Sequence, residues 1–256
     1  MLAKDYNVSK SIDLTNYLWS EKLDGVRAIY DKHKELLLTR NNKIIYAPDF
    51  FMSCLKNLDL SLDGELWIDR NSFEKTSSIV RKKNANNDEW SLIKYMIFDI
   101  YESKDLYETR YEILKKLEVE LPPFFKIVEH NILDKDPYDI LKNLQNNNNN
   151  MLEGIMLRHK RGPYIIGRSD YLLKVKTYSD EEGTILELIP GTGRLKNTIG
   201  SVMVRNKAGK IFKIGSGFDD EARSKLKIGS IITYKYNGYT YNDIPRFATF
   251  IRFYTD

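Results

Sequence analysis

The chain of 256 residues carries a formal net charge of +4, with 42% hydrophobic and 30% charged residues. That length supports one large domain or two packed ones with a real core, and no run approaches the roughly eighteen apolar residues that a membrane-spanning helix needs. One cysteine, Cys54, and three scattered histidines, His33, His130 and His159, exclude an internal disulfide and a zinc cluster. Any metal must therefore be held by oxygen ligands, which points to magnesium or manganese. The opening residues Met1-Leu2-Ala3-Lys4-Asp5-Tyr6 lack the basic start and apolar segment of a secretory leader, as expected of a cytoplasmic chain or one already trimmed.

Residues 5–40 read as strand, turn, strand and a second hairpin whose far side is Glu35-Leu36-Leu37-Leu38-Thr39-Arg40. Between the apolar run Tyr17-Leu18-Trp19 and the alternating Val26, Ala28 and Tyr30, the stretch Ser20-Glu21-Lys22-Leu23-Asp24-Gly25 holds a lysine in a tight turn. A lysine amine is a nucleophile only when neutral, and a buried turn crowded with other cations lowers its pKa. Taken alone, Lys-x-Asp-Gly suits a hairpin with a solvated lysine equally well.

Ala47-Pro48-Asp49 predicts a helix start, with Phe50, Phe51, Cys54, Leu55 and Leu58 as its apolar stripe. Ser61 to Ile68 returns to strand, and alternation puts Asp63, Glu65 and Trp67 on one face. Two carboxylates there require a cation opposite unless the face is solvated. Residues 72–83 read as a helix ending in Arg81-Lys82-Lys83, and 94–101 as a strand buried on both faces. A helix over 108–120, stopped by Pro122-Pro123, precedes a strand at 125–128. A helix around 136–145 then runs into Asn146 to Asn150, read as an exposed loop.

Met151 to Arg158 reads as a strand with a carboxylate at its start and an arginine at its end. In the next strand, 172–178, Lys174 and Lys176 share a face and repel unless an anion lies between or above them. The acidic patch Asp180-Glu181-Glu182-Gly183 reads as a linker. Short strands at 184–189, 200–205, 210–214, 231–236 and 247–253, with a helix at 219–226, predict a small β-barrel of the oligonucleotide-binding (OB) type. Residues 180–256 hold 12 Lys+Arg against 9 Asp+Glu, and no acid falls between Leu188 and Phe218. Arg194, Lys196, Arg205, Lys207, Lys210 and Lys213 lie in that gap, a pattern that suits a phosphate backbone or an ordinary solvated basic face.

In order, Lys22-Leu23-Asp24-Gly25-Val26-Arg27, Leu62-Asp63-Gly64-Glu65, Met96-Ile97-Phe98-Asp99, Leu152-Glu153-Gly154-Ile155-Met156-Leu157-Arg158 and Leu173-Lys174-Val175-Lys176 resemble the five motifs of the covalent nucleotidyltransferases. Glu-Gly-x-x-x-Arg and the later Gly191-x-Gly193-Arg194 and Gly200-Ser201-Val202 resemble ATP-dependent DNA ligases more than capping enzymes. Gly64-Glu65-Leu66-Trp67, Arg70, Phe73 and Val80-Arg81 are similar to the minimal bacterial, periplasmic-type subgroup. The resemblance covers nearly the whole chain.

It implies an α+β nucleotidyltransferase (adenylation) domain over 1–178 and an OB-fold domain over 179–256. It implies, too, that Lys22 takes AMP from ATP and that the enzyme then seals nicks in duplex DNA. Lys174 and Lys176 would act on the phosphate in transit, and Glu65, Glu153 and Asp63 would face Mg²⁺ or Mn²⁺. Phe98 would stack on adenine, Arg27 and Arg40 would contact ribose or the 5′-phosphate, and Glu21 and Asp24 would join the nucleotide site. Arg194, Lys196, Arg205, Lys207 and Lys210 would grip DNA. A monomer is expected, in the periplasm, or in the cytoplasm as the alternative. RNA ligase or capping-type guanylyltransferase is the competing activity. The family's last motif is absent as such, with Pro245-Arg246-Phe247-Ala248-Thr249-Phe250-Ile251-Arg252 in its place.

Overall fold

The computed structural model describes residues 1–6, 12–147, 152–176, 178–240 and 242–254. They form two compact units, Met1–Lys176 and Thr177–Asp256. In chain order the first contains β1 (Leu2–Asp5), β2 (Tyr17–Glu21), β3 (Val26–Asp31), β4 (Leu36–Thr39), α1 (Asp49–Lys56), β5 (Leu62–Trp67), α2 (Phe73–Val80) and α3 (Asn87–Trp90). It continues with β6 (Lys94–Ile100), α4 (Tyr107–Leu117), β7 (Phe125–Ile127), β8 (Asn131–Ile132), α5 (Pro137–Asn147), β9 (Ile155–His159) and β10 (Arg168–Val175).

These strands make two five-stranded sheets, β1-β10-β9-β2-β8 and β4-β3-β5-β6-β7. Pairing is antiparallel except between β1 and β10 and between β6 and β7. The stretch expected as a turn between neighbours is a crossing instead: β2 pairs with β9 and β8, β3 with β4 and β5. Lys22 to Gly25 therefore carry the chain from one sheet to the other.

Each sheet closes on helices through its apolar face. Phe51, Leu55, Trp90, Tyr95 and Phe125 build the core of the second sheet with α1, α2 and α3, and their rings meet edge-on, as for Phe51 and Trp90 at 5.0 Å. Leu141, Leu157, Leu173 and Val175 pack the first sheet against α5. Pro48 is the N-cap of α1, its backbone extended (φ −65°, ψ 160°), and Asp49 stands in the first turn where the helix dipole favours an acid. The helix predicted over 72–83 stops at Val80, so Arg81-Lys82-Lys83 lies beyond it, exposed, with Lys82 paired to Glu89. Asn146 and Asn147 end α5 rather than starting a loop; Asn148 to Asn150 lie outside the described residues.

The second unit holds β11 (Ser179–Pro190), β12 (Ile199–Asn206), β13 (Ile211–Ile214), α6 (Asp220–Lys225), β14 (Ile231–Tyr236) and β15 (Thr249–Phe253), with sheet order β13-β12-β11-β14-β15. Just past β13 the Ser216 carbonyl accepts the Phe250 N–H of β15 at 3.0 Å, so the sheet curls until its two edges meet. The acidic patch read as a linker is instead the start of β11, laddered to β14 from Ser179 to Thr184. The reason is Glu181, whose carboxylate accepts the hydroxyls of Tyr234, Tyr236 and Tyr239 at 2.8, 2.9 and 2.6 Å.

Candidate active site

A cavity of about 290 Å³ opens in the first unit, lined by residues of both its sheets. Lys22, at the crossing between them, lines it, and two glycines permit the crossing. A side chain at Gly25 would sit 2.3 Å from the Leu66 carbonyl oxygen, and one at Gly154 the same distance from that of Val175. Gly154 also accepts the Lys22 N–H at 2.9 Å, which ties the crossing to the approach to β9.

The Lys22 ammonium pairs with one oxygen of Glu153 and the Lys176 ammonium with the other. Burial opposes the charge of Glu153, but the two lysines outweigh it and hold its pKa below the usual 4.5. Burial and the nearby Lys22 lower the pKa of Lys176. Glu153 is thus the anion beside Lys176, but its second cation is Lys22 and not Lys174, the lysine that shares a face with Lys176 in the sequence. Lys174 lines the cavity, and its Nζ stands 3.3 Å from Asp5.

On the facing sheet, Arg27 lies opposite Glu65 in the β3–β5 register, but its guanidinium reaches diagonally to Asp63, Nε to Oδ1 at 2.9 Å. Asp63 is 1% exposed and also accepts the Tyr164 hydroxyl at 2.8 Å, so its carboxylate is spent on protein partners. Glu65, half-buried, lines the cavity, and its carboxylate makes no hydrogen bond or ion pair with the described residues. Burial pushes its pKa up to about 8 against the pull of Lys22 and Arg27. That carboxylate would regain its charge beside a divalent cation, so the donor chemistry fits one. Among the described residues no group of three His, Cys, Asp or Glu gathers as a metal site.

Phe98 owes its position to a bulge. Between the β5–β6 pairs Asp63 with Asp99 and Gly64 with Ile97, Phe98 has no partner, and its ring lines the cavity with the Arg27 guanidinium 5.7 Å from its centre. Glu21 and Arg40 also line it; Arg70 holds Glu21 with two hydrogen bonds of 2.8 and 2.7 Å. Asp24 is half-buried in the crossing segment.

Ser20, His130, Met156, Arg158 and Arg168 line the cavity too, without having been singled out for the site from the sequence. Of these only Arg158 had a signal, as the arginine of Glu-Gly-x-x-x-Arg and as a partner for Asp99, the carboxylate inside the apolar run Ile97 to Ile100.

In the second unit Arg194 pairs with Asp220 at 3.3 Å, Lys207 with Glu182 at 2.7 Å and Lys210 with Asp243 at 3.6 Å. Such exposed pairs contribute little and leave the charges available. Arg205 is exposed on β12 and Lys196 follows the short 3-10 turn Gly193–Leu195. Arg246 packs over the ring of Phe247, itself 68% exposed, while Arg252 lies on β15.

Fold and cavity define an adenylation unit followed by an OB-like unit. The family model described as ATP dependent DNA ligase domain matches residues 1–176, and that described as DNA ligase OB-like domain matches 190–253. A DNA ligase of Haemophilus influenzae is 35% identical over 253 residues, 98% of this chain and 91% of the relative. A structure from a study of DNA binding with a minimal scaffold by Lig E DNA ligases is similar at TM-score 0.90 and 37% identity, over 99% of this chain and 98% of that one. Chlorella virus DNA ligase-adenylate is similar at TM-score 0.54 and 25% identity, over 100% and 97% of the two chains. The chain belongs to the ATP-dependent DNA ligase family.

Proposed function

We propose that this ligase seals nicks in duplex DNA in three steps, two transfers of AMP and its final displacement, with Lys22 as the nucleophile of the first. The observation that carries the reading is Lys22 in the cavity wall with Glu153 and Lys176 joined to it. The neutral amine attacks the α-phosphorus of ATP, a P–N bond forms and pyrophosphate leaves with the electrons of the broken P–O bond. AMP then passes to the 5′-phosphate of the nick, and the 3′-hydroxyl displaces it to close the strand.

Glu153, which pairs with Lys22, is the acceptor for its proton: as the phosphates draw Lys176 toward themselves the carboxylate loses a competing cation, takes the proton and leaves the amine free to attack. Lys176 and Lys174 then face the charge that develops on the transferring phosphate. Phe98 offers the base a stacking face, Arg27 and Arg40 reach ribose or 5′-phosphate, and Glu21 and Asp24 complete the nucleotide site. Asp63 positions Arg27. Mg²⁺ or Mn²⁺, held through Glu65 and Glu153, would neutralise phosphate charge when bound.

Arg194, Lys196, Arg205, Lys207 and Lys210 give the second unit a grip on DNA phosphates, and the enzyme works as a monomer. Family likeness favours the periplasm as its compartment. Incubation with labelled ATP or GTP tests the reading: the label from ATP alone is expected on the protein. Label from GTP would instead indicate the guanylyltransferase activity.

A further inference from the structure

Glu21, the last residue of β2, stands directly before Lys22 and pairs with Ile155 in the β2–β9 register of the first sheet. Its side chain leaves that sheet for Arg70, in the turn that follows β5 of the second. Arg70 donates Nε to Oε1 at 2.8 Å and Nη2 to Oε2 at 2.7 Å, two parallel bonds of a planar fork on a carboxylate. Such a fork fixes direction as well as distance, which the point charge of a lysine does not.

The turn is built to present Arg70. The Ser72 N–H donates across it to the Asp69 carbonyl at 3.2 Å, and Asp69 Oδ1 accepts the Arg70 N–H at 2.8 Å. Asn71 adopts φ 57°, a left-handed conformation that asparagine tolerates better than most residues. The Ser72 carbonyl then accepts the Thr76 N–H at 2.8 Å, so the turn runs straight into α2.

A second tie between the sheets is buried. Asp99 of β6, 0% exposed, accepts Nη1 of Arg158 of β9 at 2.9 Å and Nε of Arg110 of α4 at 2.6 Å. Arg70 and Glu21 keep 33% and 25% of their side-chain exposure, so their pair joins the sheets where solvent reaches, one residue from the nucleophile. Glu21 and Lys22 line the cavity and Arg70 does not, which makes Glu21 the route by which Arg70 bears on the site. The Lys22 N–H on the Gly154 carbonyl holds the crossing to the first sheet; the fork on Glu21 holds it to the second.

We propose that Arg70 is a positioning residue for the nucleophile: through its fork on Glu21 it locks the end of β2 to the facing sheet and sets the direction from which the Lys22 amine meets the α-phosphorus. The assignment rests on Lys22 being the residue that takes AMP.

The test uses the full chain and three measurements: the self-adenylation rate at saturating labelled ATP, the ATP concentration that gives half that rate, and sealing of a nick whose 5′-phosphate is already adenylated. Arg70→Lys keeps the charge and loses the fork. It should slow saturated self-adenylation about ten-fold, the scale of a nucleophile shifted by less than an ångström. Half-saturating ATP and sealing of the adenylated nick should both stay within about two-fold of the wild type. Glu21→Gln should slow self-adenylation about as much, and it carries the test if Arg70→Lys does not fold. The double variant should be no slower than the slower single one, because the pair acts as a unit. Self-adenylation at the wild-type rate in either variant would overturn the proposal. So would a ten-fold rise in the ATP requirement at an unchanged saturated rate, which would make Arg70 a nucleotide contact. An equal loss of adenylated-nick sealing, the mark of a DNA contact or of general loosening, would overturn it too, as would additive losses in the double variant. Absence of any label on the wild type would instead overturn the reading of Lys22, and this assignment with it.

Discussion

Lys22 and Glu153, 131 residues apart in sequence, form an ion pair, and the second oxygen of the same carboxylate holds Lys176. An ammonium so held is not a nucleophile. The pair must therefore part before Lys22 can attack ATP.

Replacing Glu153 with Gln should reduce self-adenylation by about a hundred-fold or more, the scale of one lost electrostatic partner in an active site. It should also destabilise the fold by about 1–3 kcal/mol, less than a fully buried pair because both side chains retain some exposure. The Glu153 pKa is depressed in the fold, so its contribution is complete above the ordinary value of 4.5 and is lost as pH falls. Thermal melts of wild type and mutant should accordingly converge in acid; a constant gap would count against the charge pair.

Asp63 and Glu65, two residues apart on β5, should behave differently. Asp63→Asn strips the half-buried Arg27 of its carboxylate and should cost about 3 kcal/mol of stability, with no relief of activity by Mn²⁺. Glu65→Gln should leave the melting temperature nearly unchanged while altering the metal dependence of adenylation. Identical responses of the two mutants in melting and metal titration would erase the distinction.

Buried and facing Arg158, His130 has its folded pKa lowered from 6.5 to about 3. The unfolded chain takes up a proton below 6.5 that the native state refuses, so stability should fall as pH drops through that window, by at most about 1.4 kcal/mol per pH unit. The ring edge at the cavity wall softens the effect. Proton NMR should find the His130 ring neutral at pH 5, and His130→Gln should flatten the stability profile between pH 6.5 and 4. A ring that titrates near 6.5 in the native state would refute this.

If the second unit grips DNA through its basic stretch, Arg194→Ala with Lys196→Ala should weaken nick binding at every sequence tested. The slope of log affinity against log salt should flatten by roughly one to two units, since each phosphate contact contributes about 0.9. Self-adenylation should fall far less. Unchanged affinity and slope would leave these residues a solvated face, and Arg81-Lys82-Lys83 would be the next surface to test.

Much of the cavity was legible because its chemistry is carried by short local patterns. Lys22, Glu65, Phe98, Lys174 and the Glu153 segment each stand in an apolar or glycine-marked setting where a charge or aromatic residue is conspicuous. What stayed hidden depends on distant pairing. The crossing at Lys22 to Gly25 looks like a turn until β9 and β5 claim its two flanking strands. The acidic run at Glu181 has the composition of a linker, and its tyrosine partners are 53 to 58 residues away. Asp99 announced a need for a cation without naming Arg110 or Arg158, because helix and strand bring them together only in the fold.

The central claim is that Lys22 carries the AMP. The most direct measurement gives Lys22→Ala two substrates, labelled ATP with Mg²⁺, and a nick whose 5′-phosphate is already adenylated. The account predicts no label on the mutant protein and continued sealing of the adenylated nick, since that last step draws no AMP from the lysine. Labelled AMP on Lys22→Ala would contradict it.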